Sequence, residues 1–527
     1  MKDKDPKYNL MLIFALIIVL AFDIFFVSHK EGYQNNEILS YELANSEFIQ
    51  ARPIGSPFKE GPVWMSSSEI TDRVSFLGDD SVVGLSAYLN SASEGLPPFY
   101  FMMLNAFSAI WAIFSYGSLS PWPGCILNMI FMMGSMIVIS SFFKDVTGKK
   151  FLGPVAALFY GLSPAGIDTV LLTGQDGASA FFCLSSAYLV LKKIADERSF
   201  GKRNKKIIFT AALGFLTGYR SCIFFFFLIL SSVICLIYAK KKKEALYLIR
   251  TGLFSACLGA LLYPSVFRQI YIAVTGNAIS GCINALGGVP DRIRTLLEIT
   301  ADRTGWSGGG AVSMLVFVLM AALIAVLTKK MKFYAPVLFA SACGYILTAS
   351  VVFPLADACT LMPVFPFVMI IWIMGLGFII SYIAERFLKD QRFKKMIYTG
   401  VLFVWTVSCI CLVLVITPSY LYEGYSEQMR ISRNYSSYDA VVVYGDEGFY
   451  RNIPELMNYG NCLLITEEEA GVYDERLASL NAVVVIAGED VDKDAVIRSI
   501  GNMYGYSSLT FLMEDGVFGD RVCLLSK

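Results

Sequence analysis

The chain contains 527 residues, of which 56% are hydrophobic and only 16% are charged, and its formal net charge is zero. Soluble proteins carry about 25% charged residues, and here the charges form short clusters between long apolar runs. This pattern excludes an ordinary soluble protein, and the zero net charge gives no indication of a nucleic-acid partner. It predicts an α-helical polytopic membrane protein with about 11–13 transmembrane helices.

The first apolar run, Leu10–Val27, follows a lysine-containing N-terminus. It is too long for the apolar region of a signal peptide, and no small-x-small cleavage motif follows it. We therefore predict an uncleaved transmembrane helix within residues 1–28 that starts in the cytoplasm.

Eleven further apolar runs predict a multi-span domain over residues 98–417. Several runs are shorter than the ~20 residues of a full span, which indicates broken or tilted crossings. The runs are Phe99–Phe114, Ile126–Phe143, Phe151–Leu162, Ala178–Leu191, Ile207–Leu216, Cys222–Ile237, Tyr247–Leu262, Ala311–Leu327, Tyr334–Val351, Pro363–Ile383 and Ile397–Ile416.

Clusters of Lys and Arg set the orientation, because cytoplasmic loops carry the excess of these residues. Four such clusters lie between predicted spans from residue 178 onward, and spans that alternate in direction place all four inside. The loop at residues 264–310 and the tail then lie outside the membrane. The clusters are Lys192–Lys206, Lys240–Lys243, Thr328–Lys332 and Glu385–Lys395.

The runs at 99–114 and 126–143 leave one inconsistency in this topology. Residues 29–97 form a large extracytoplasmic loop, whereas the basic segment 144–150 should lie inside. Two full crossings would return the chain to the side on which it started. Either one of the two runs is re-entrant, or the segment 144–150 is an exception to the rule that basic segments lie inside.

The tail, residues 418–527, has a different pattern, with short β-branched runs that alternate with helix-like stretches. Such alternation predicts a small extracytoplasmic α/β domain with a partly parallel sheet. Cys462 and Cys523 each begin a Cys-Leu-Leu run. They are two buried thiols or a disulfide, and the thiols are the preferred interpretation.

Metal ligands are sparse in the sequence. The chain has no Cys-x-x-Cys pair and its only histidine is His29, so a zinc site is not predicted. Asp79-Asp80 in the first loop could bind a divalent cation, although adjacent acids in a loop are more often solvated. No other cofactor is predicted.

Several short motifs resemble those of one enzyme group. They are Asn36-Glu37 soon after the first span, Glu94 three residues before Pro97-Pro98-Phe99-Tyr100, Leu162-Ser163-Pro164, Gly214-Phe215-Leu216-Thr217-Gly218-Tyr219 and Met362-Pro363-Val364-Phe365-Pro366. Together they resemble the polyprenyl-phosphate-sugar glycosyltransferases of the GT-C fold. The nearest resemblance is to glycosyltransferase family 39, the protein mannosyltransferase-like group, in its bacterial form.

The resemblance implies an inverting glycosyltransferase in the bacterial cytoplasmic membrane. A polyprenyl-phosphate-linked sugar in the membrane lipid would be the donor, and a glycan or protein would be the acceptor. Glu37 and Glu94 are the candidate catalytic carboxylates, which would take the acceptor proton. The candidate substrate-binding residues are Asn36, Tyr41, Tyr100, Arg220 and Arg268.

Each candidate also has a simpler structural explanation. Glu37 could be a solvated loop residue, Glu94 could cap a helix, and the arginines could reach the membrane interface. The sequence also departs from family 39, because Asn36 and Leu96 replace its usual Asp and His. Two alternatives therefore stay open: a catalytically degenerate GT-C-fold protein that binds lipid-linked glycan or assists a partner, and a transporter or flippase.

Overall fold

The computed structural model describes residues 6–47, 62–76, 83–115, 118–147, 152–195, 204–275, 285–304, 334–353, 357–387, 418–445 and 449–527, with isolated residues between 319 and 415. It consists of a bundle of apolar helices and a tail built on a six-stranded sheet. The predicted helical polytopic architecture with a small C-terminal α/β domain is confirmed.

Helix α1 (Pro6–Ser28) defines the two ends of the bundle. Its proline lies in the first turn, where the missing N–H costs no hydrogen bond. Near the start of α1, Tyr8 Oη and Ser140 Oγ are 2.8 Å apart. We call the end at Tyr8 the basic end, and the end where α1 stops and the tail packs the tail end.

The segment after α1 folds across the tail end. It forms α2 (Asn35–Asn45), β1 (Val63–Ser66), α3 (Ser67–Val74), α4 (Leu85–Ser93) and α5 (Phe99–Ser115), before α6 (Trp122–Phe142). Residues from α2, α3, α4 and α5 share one buried cluster with the tail sheet.

Helix α5 does not connect the two ends of the bundle. Near the start of α5, the Tyr100 hydroxyl donates to Asn128 Oδ1 at 3.1 Å. Near the end of α5, the Trp111 ring stacks on the Trp122 ring, with 6.1 Å between the ring centres. Both partners belong to the first two turns of α6, whose far end reaches Ser140 at the basic end. Of the two runs that made the topology inconsistent, α6 runs between the ends and α5 stays at the tail end.

The next connection between the ends is broken. Helix α7 (Leu152–Gly161) and helix α8 (Pro164–Leu171) meet at a bend of 58°. The Ser163 hydroxyl accepts a hydrogen bond from Gly166 N at 3.1 Å and caps α8. Helix α8 ends at the tail end, where Asn128 Nδ2 donates to the Leu172 carbonyl at 2.6 Å.

Among the remaining described helices, the long ones run alternately between the basic end and the tail end. The short ones lie at the tail end. Six described helices are long and apolar enough to cross a membrane, and the bent pair α7–α8 would be a seventh. All but two residues of the predicted span at 311–327, and half of the predicted span at 397–416, lie outside the described residues. The helices are α9 (Gln175–Ala195), α10 (Lys205–Thr217), α11 (Tyr219–Tyr238), α12 (Lys242–Leu262), α13 (Ser265–Thr275), α14 (Val289–Arg303), α15 (Tyr334–Val352), α16 (Ala358–Leu361) and α17 (Phe365–Phe387).

The tail alternates helices and strands as its sequence predicts. Its sheet has the order β1-β3-β2-β4-β6-β5, in which β2 pairs in parallel with β3 and β4 and the other pairs are antiparallel. The elements are α18 (Tyr425–Asn434), β2 (Ala440–Tyr444), α19 (Ile453–Leu456), β3 (Asn461–Thr466), α20 (Glu475–Ser479), β4 (Ala482–Ala487), α21 (Lys493–Tyr504), β5 (Ser508–Met513) and β6 (Arg521–Ser526).

Two details of the sheet matter for the site. Its edge strand β1 comes from the loop after α1, so that loop and the tail share one sheet. The face that carries Val442 and Leu464 packs against α2 and α5, whereas the face that carries Val441 and Leu463 packs against the tail's own helices. Cys462 and Cys523 are free, buried thiols on opposite faces.

Candidate functional site

A buried ion pair lies where the first loop meets the bundle and the tail. Lys30 Nζ is 3.1 Å from Glu37 Oε2, and neither side chain has any exposed surface. Glu37 is the third residue of α2, and its Oε2 also accepts from Gln34 N at 2.8 Å. This capping box starts the helix and fixes the carboxylate.

The chain that enters the tail closes over Lys30. Its ammonium donates to the Tyr420 carbonyl at 2.9 Å and lies 5.8 Å from the ring centre of Tyr33 and 5.2 Å from that of Tyr422. Aromatic faces attract a cation most strongly when it is desolvated. The ammonium is therefore held by one carboxylate, one carbonyl and two rings.

The carboxylate of Glu37 also holds the connection between α8 and α9. Its Oε1 accepts from Thr173 N at 2.8 Å. One turn further along α2, the Tyr41 hydroxyl accepts from Gly124 N at 3.1 Å. Burial raises the pKa of Tyr41 well above its ordinary value, so the phenol stays protonated. Glu37, Tyr41 and Tyr100 all contact the start of α6 or the α8–α9 connection beside it.

Two further ion pairs lie at the tail end. Arg220, at the start of α11, pairs with Asp176 at the start of α9 and lies 5.2 Å from the Phe353 ring centre. Arg303, at the end of α14, pairs with the buried Asp168 of α8 at 2.9 Å. Both guanidinium groups are thus already held by a carboxylate in this conformation.

The other predicted site residues are exposed. Asn36 lies on the outer side of the first turn of α2, and Arg268 lies on α13. Glu94 is the residue that follows α4, and desolvation of its carboxyl group raises the pKa of that group although the residue as a whole is exposed. The next residue, Gly95, accepts a hydrogen bond from the Tyr219 hydroxyl at 2.8 Å and lies against Gln269 of α13. Glu94 and Arg268 therefore occupy neighbouring elements.

Sequence reasoning missed Lys30, Asp168 and Arg303. Asp168 carried a usable signal, because an acid within an apolar run is costly unless it is paired. No local sequence pattern pointed to Arg303, since its partner Asp168 lies 135 residues away. Lys30 precedes Glu37 by seven residues, but nothing in that spacing predicts a buried contact.

No group of three or more His, Cys, Asp or Glu side chains that could hold a metal ion occurs among the residues that the structure describes. Asp79-Asp80, the predicted cation ligands, lie outside them.

The arrangement of apolar helices, a folded first loop and an α/β tail at one end is that of a membrane protein with a GT-C-like fold. The chain is similar to ArnT from Cupriavidus metallidurans bound to undecaprenyl phosphate, with a TM-score of 0.54 and 10% identity over 98% of this chain and 97% of that one. The same protein in its apo state matches with a TM-score of 0.53 at 10% identity and the same coverage. At this identity the likeness shows the fold alone. No protein-family profile and no curated protein sequence matches the chain.

Proposed function

We propose that this protein transfers a sugar from a polyprenyl-phosphate donor to an acceptor hydroxyl at the tail end of the bundle. The observation that carries the proposal is the buried Lys30–Glu37 pair, which lies where the first loop, the bundle and the tail of a GT-C-like fold meet. The bound undecaprenyl phosphate of the neighbour supports a lipid-phosphate partner. Family 39 is the nearest group by resemblance of motifs.

The chemistry fits the charges at this end. An acceptor oxygen attacks the sugar carbon while the bond from that carbon to the phosphate oxygen breaks, and polyprenyl phosphate leaves as the anion. Glu37 would take the acceptor proton as general base. Lys30 would turn from Glu37 towards the phosphate, because charge-assisted hydrogen bonds to a leaving phosphate stabilise the transition state.

A second candidate function is binding of lipid-linked glycan without transfer. The observation that favours it is that Glu37 is fully buried and both of its oxygens already accept hydrogen bonds. Arg220 and Arg303 are likewise paired with carboxylates. Transfer therefore requires an opening of this site that binding elsewhere at the tail end does not.

The test is transfer of a labelled sugar from undecaprenyl phosphate by the full chain in membranes, compared among wild type, Glu37→Gln, Glu94→Gln and Glu298→Gln. Glu298 is a matched control, since it is half-exposed and pairs with Arg294 one turn away in its own helix. If Glu37 is the base, Glu37→Gln lowers the rate by about 100-fold or more. Glu298→Gln stays near wild type.

Binding of the labelled lipid is measured on the same preparations. Binding without transfer by wild type would support the second candidate. Equal transfer rates for wild type, Glu37→Gln and Glu94→Gln would show that neither carboxylate is the general base. A wild-type protein that neither binds nor transfers any donor in the panel would contradict both functions.

A further inference from the structure

A small cavity lies at the tail end between α2, the end of α3, α5 and the segment that leads into α6. Its enclosed part has a volume of about 10 Å³, which is the space of one water molecule or one hydroxyl group. The cavity is half-open, and serine hydroxyl groups line it together with aromatic and small apolar side chains. Among the described residues that line it, none carries a formal charge. The cavity therefore suits a neutral polar ligand.

Three buried polar atoms of this lining have no hydrogen-bond partner among the residues that the structure describes. They are Asn45 Oδ1 at the end of α2, Ser75 Oγ just after α3 and Trp111 Nε1 on α5. Ser75 is only 3% exposed. A buried polar atom without a partner is costly. Three separate elements thus bring unpaired polar atoms to the same cavity.

The three atoms differ in what they can donate and accept. The Asn45 amide is oriented by its nitrogen, which donates to the Val74 carbonyl at 3.0 Å, so its oxygen is left as an acceptor. The indole N–H of Trp111 is only a donor, and the Ser75 hydroxyl is both a donor and an acceptor. One hydroxyl group can therefore pair with all three. An anion would leave Asn45 Oδ1 without a donor, and a cation would leave Trp111 Nε1 without an acceptor.

The cavity lies on the same side of α2 as Glu37. Glu37, Tyr41 and Asn45 follow one another at intervals of four residues, which places them in a row along the helix. Tyr41 and Asn45 both line the cavity. At a rise of ~1.5 Å per residue, Asn45 lies roughly 12 Å from Glu37 along the helix axis. This separation is longer than one sugar ring, so a carbohydrate that reaches both positions has at least two sugar units.

We propose that this cavity binds one hydroxyl group of a carbohydrate, and that this carbohydrate is the acceptor of the sugar transfer. The acceptor role rests on the proposed function, whereas the hydroxyl site does not. Ser115, Ser118 and Ser120 also line the cavity and offer partners for neighbouring hydroxyl groups of the same glycan. The acceptor would thus be held by a sugar unit other than the one that reacts.

The test is binding of neutral disaccharides to the full chain in lipid nanodiscs, which contain no sugar-based detergent. The probes are maltose, cellobiose, lactose and chitobiose, with a neutral Gly-Ser peptide for comparison. Saturation-transfer difference NMR measures their binding. We expect at least one disaccharide to bind to wild type. Ser75→Ala and Trp111→Phe should each weaken this binding about threefold to tenfold, because each removes one hydrogen bond.

Two matched variants are the controls, and both should bind the disaccharide as wild type does. Trp122→Phe changes the ring that stacks on Trp111, but Trp122 is not among the described residues of the lining. Ser68→Ala removes an exposed hydroxyl group near the start of α3. Binding of the peptide but of no disaccharide would overturn the proposal. No binding of any probe to folded wild type would mean that the cavity holds a water molecule only, and would overturn it too.

Steady-state transfer to the disaccharide that binds separates this inference from the proposed function. Trp111→Phe should raise KM for that acceptor more than it lowers kcat, whereas Glu37→Gln should lower kcat. Binding of the disaccharide by wild type without transfer would contradict the transfer function and the acceptor role, but it would support the hydroxyl site. Transfer that Glu37→Gln abolishes and that Trp111→Phe leaves at the wild-type KM would support the transfer function and overturn the role of the cavity.

Discussion

At the scale of single residues, the Lys30–Glu37 pair gives a clear prediction for the free energy of unfolding. Both side chains are fully buried, so removal of one charge leaves the other without its compensating partner. Breaking such a pair costs about 3–5 kcal/mol, whereas replacing both members together costs far less. We therefore expect Lys30→Met to destabilise the protein strongly and Lys30→Met with Glu37→Gln to recover part of the loss.

Thermal unfolding in detergent measures this double-mutant cycle. The matched control is the Lys192–Asp145 pair at the basic end, whose side chains are 51% and 32% exposed. Because exposed pairs contribute only about 0–1 kcal/mol, Lys192→Met should hardly change the midpoint. Equal changes in the midpoint for Lys30→Met and Lys192→Met would contradict the claim that Lys30 and Glu37 stabilise each other in a buried pair.

Glu31 gives a prediction with a pH dependence. Partial burial acts to raise the pKa of its carboxyl group, but hydrogen bonds from Ser426 and Gly424 outweigh it and hold the pKa below its ordinary value of 4.5. A lowered pKa in the folded state stabilises the fold above the ordinary pKa, and this contribution disappears as the pH falls through the folded value. Glu31→Gln should thus lower the unfolding temperature at pH 7.

The difference between wild type and Glu31→Gln should shrink once the pH falls below about 4.5. Unfolding temperatures at several pH values measure it. Glu427→Gln is the control, since Glu427 is 52% exposed and pairs with Arg430 in its own helix. A difference that stays constant from pH 7 to pH 4 would show that the Glu31 charge does not hold the tail.

At the scale of elements, the bend between α7 and α8 depends on a close backbone approach. A Cβ atom on Gly166 would lie 2.2 Å from the Tyr160 carbonyl oxygen and 2.9 Å from that of Gly161. These are backbone atoms, so the helices would have to move apart. We expect Gly166→Ala to cost about 1–3 kcal/mol, as overpacked buried sites do.

Gly174→Ala is the control for this prediction, because the nearest atom to its Cβ is 3.9 Å away. Thermal unfolding should distinguish the two variants, with a lower midpoint for Gly166→Ala only. An unchanged midpoint in Gly166→Ala would mean that the bend opens without cost.

The edge strand β1 is an element that its sequence does not reveal. Its four residues lie in a mixed polar segment, and their pairing partner β3 begins about 400 residues later. Two side-chain contacts hold the strand: Trp64 Nε1 donates to Asp474 at 3.0 Å, and the Arg476 guanidinium lies 4.1 Å from the Trp64 ring centre. Pairing over such a separation cannot be read from a local pattern.

At the scale of the whole molecule, the sidedness predicted from the basic clusters can be tested together with the position of α5. Ser118, between α5 and α6, and Ser507 in the tail are exposed at the tail end, whereas Lys243 is exposed at the basic end. We expect Ser118→Cys and Ser507→Cys to react with a membrane-impermeant maleimide in intact cells. Lys243→Cys should react only after permeabilisation.

The parent protein, with its native cysteines, supplies the background for this labelling. Labelling of Ser507→Cys but not of Ser118→Cys in intact cells would mean that α5 crosses the membrane. Labelling of Lys243→Cys in intact cells would reverse the predicted orientation.

The sequence alone determined the apolar helices and the strands β2, β3, β4 and β6, because apolarity and β-branching are local properties that a run of residues carries wherever it lies. Only the tertiary structure decided that α5 stays at the tail end, that β1 joins the tail sheet, and that Glu37 is buried against Lys30. These features depend on contacts between distant segments, whose strength comes from burial and the low local dielectric and not from the pattern of neighbouring residues.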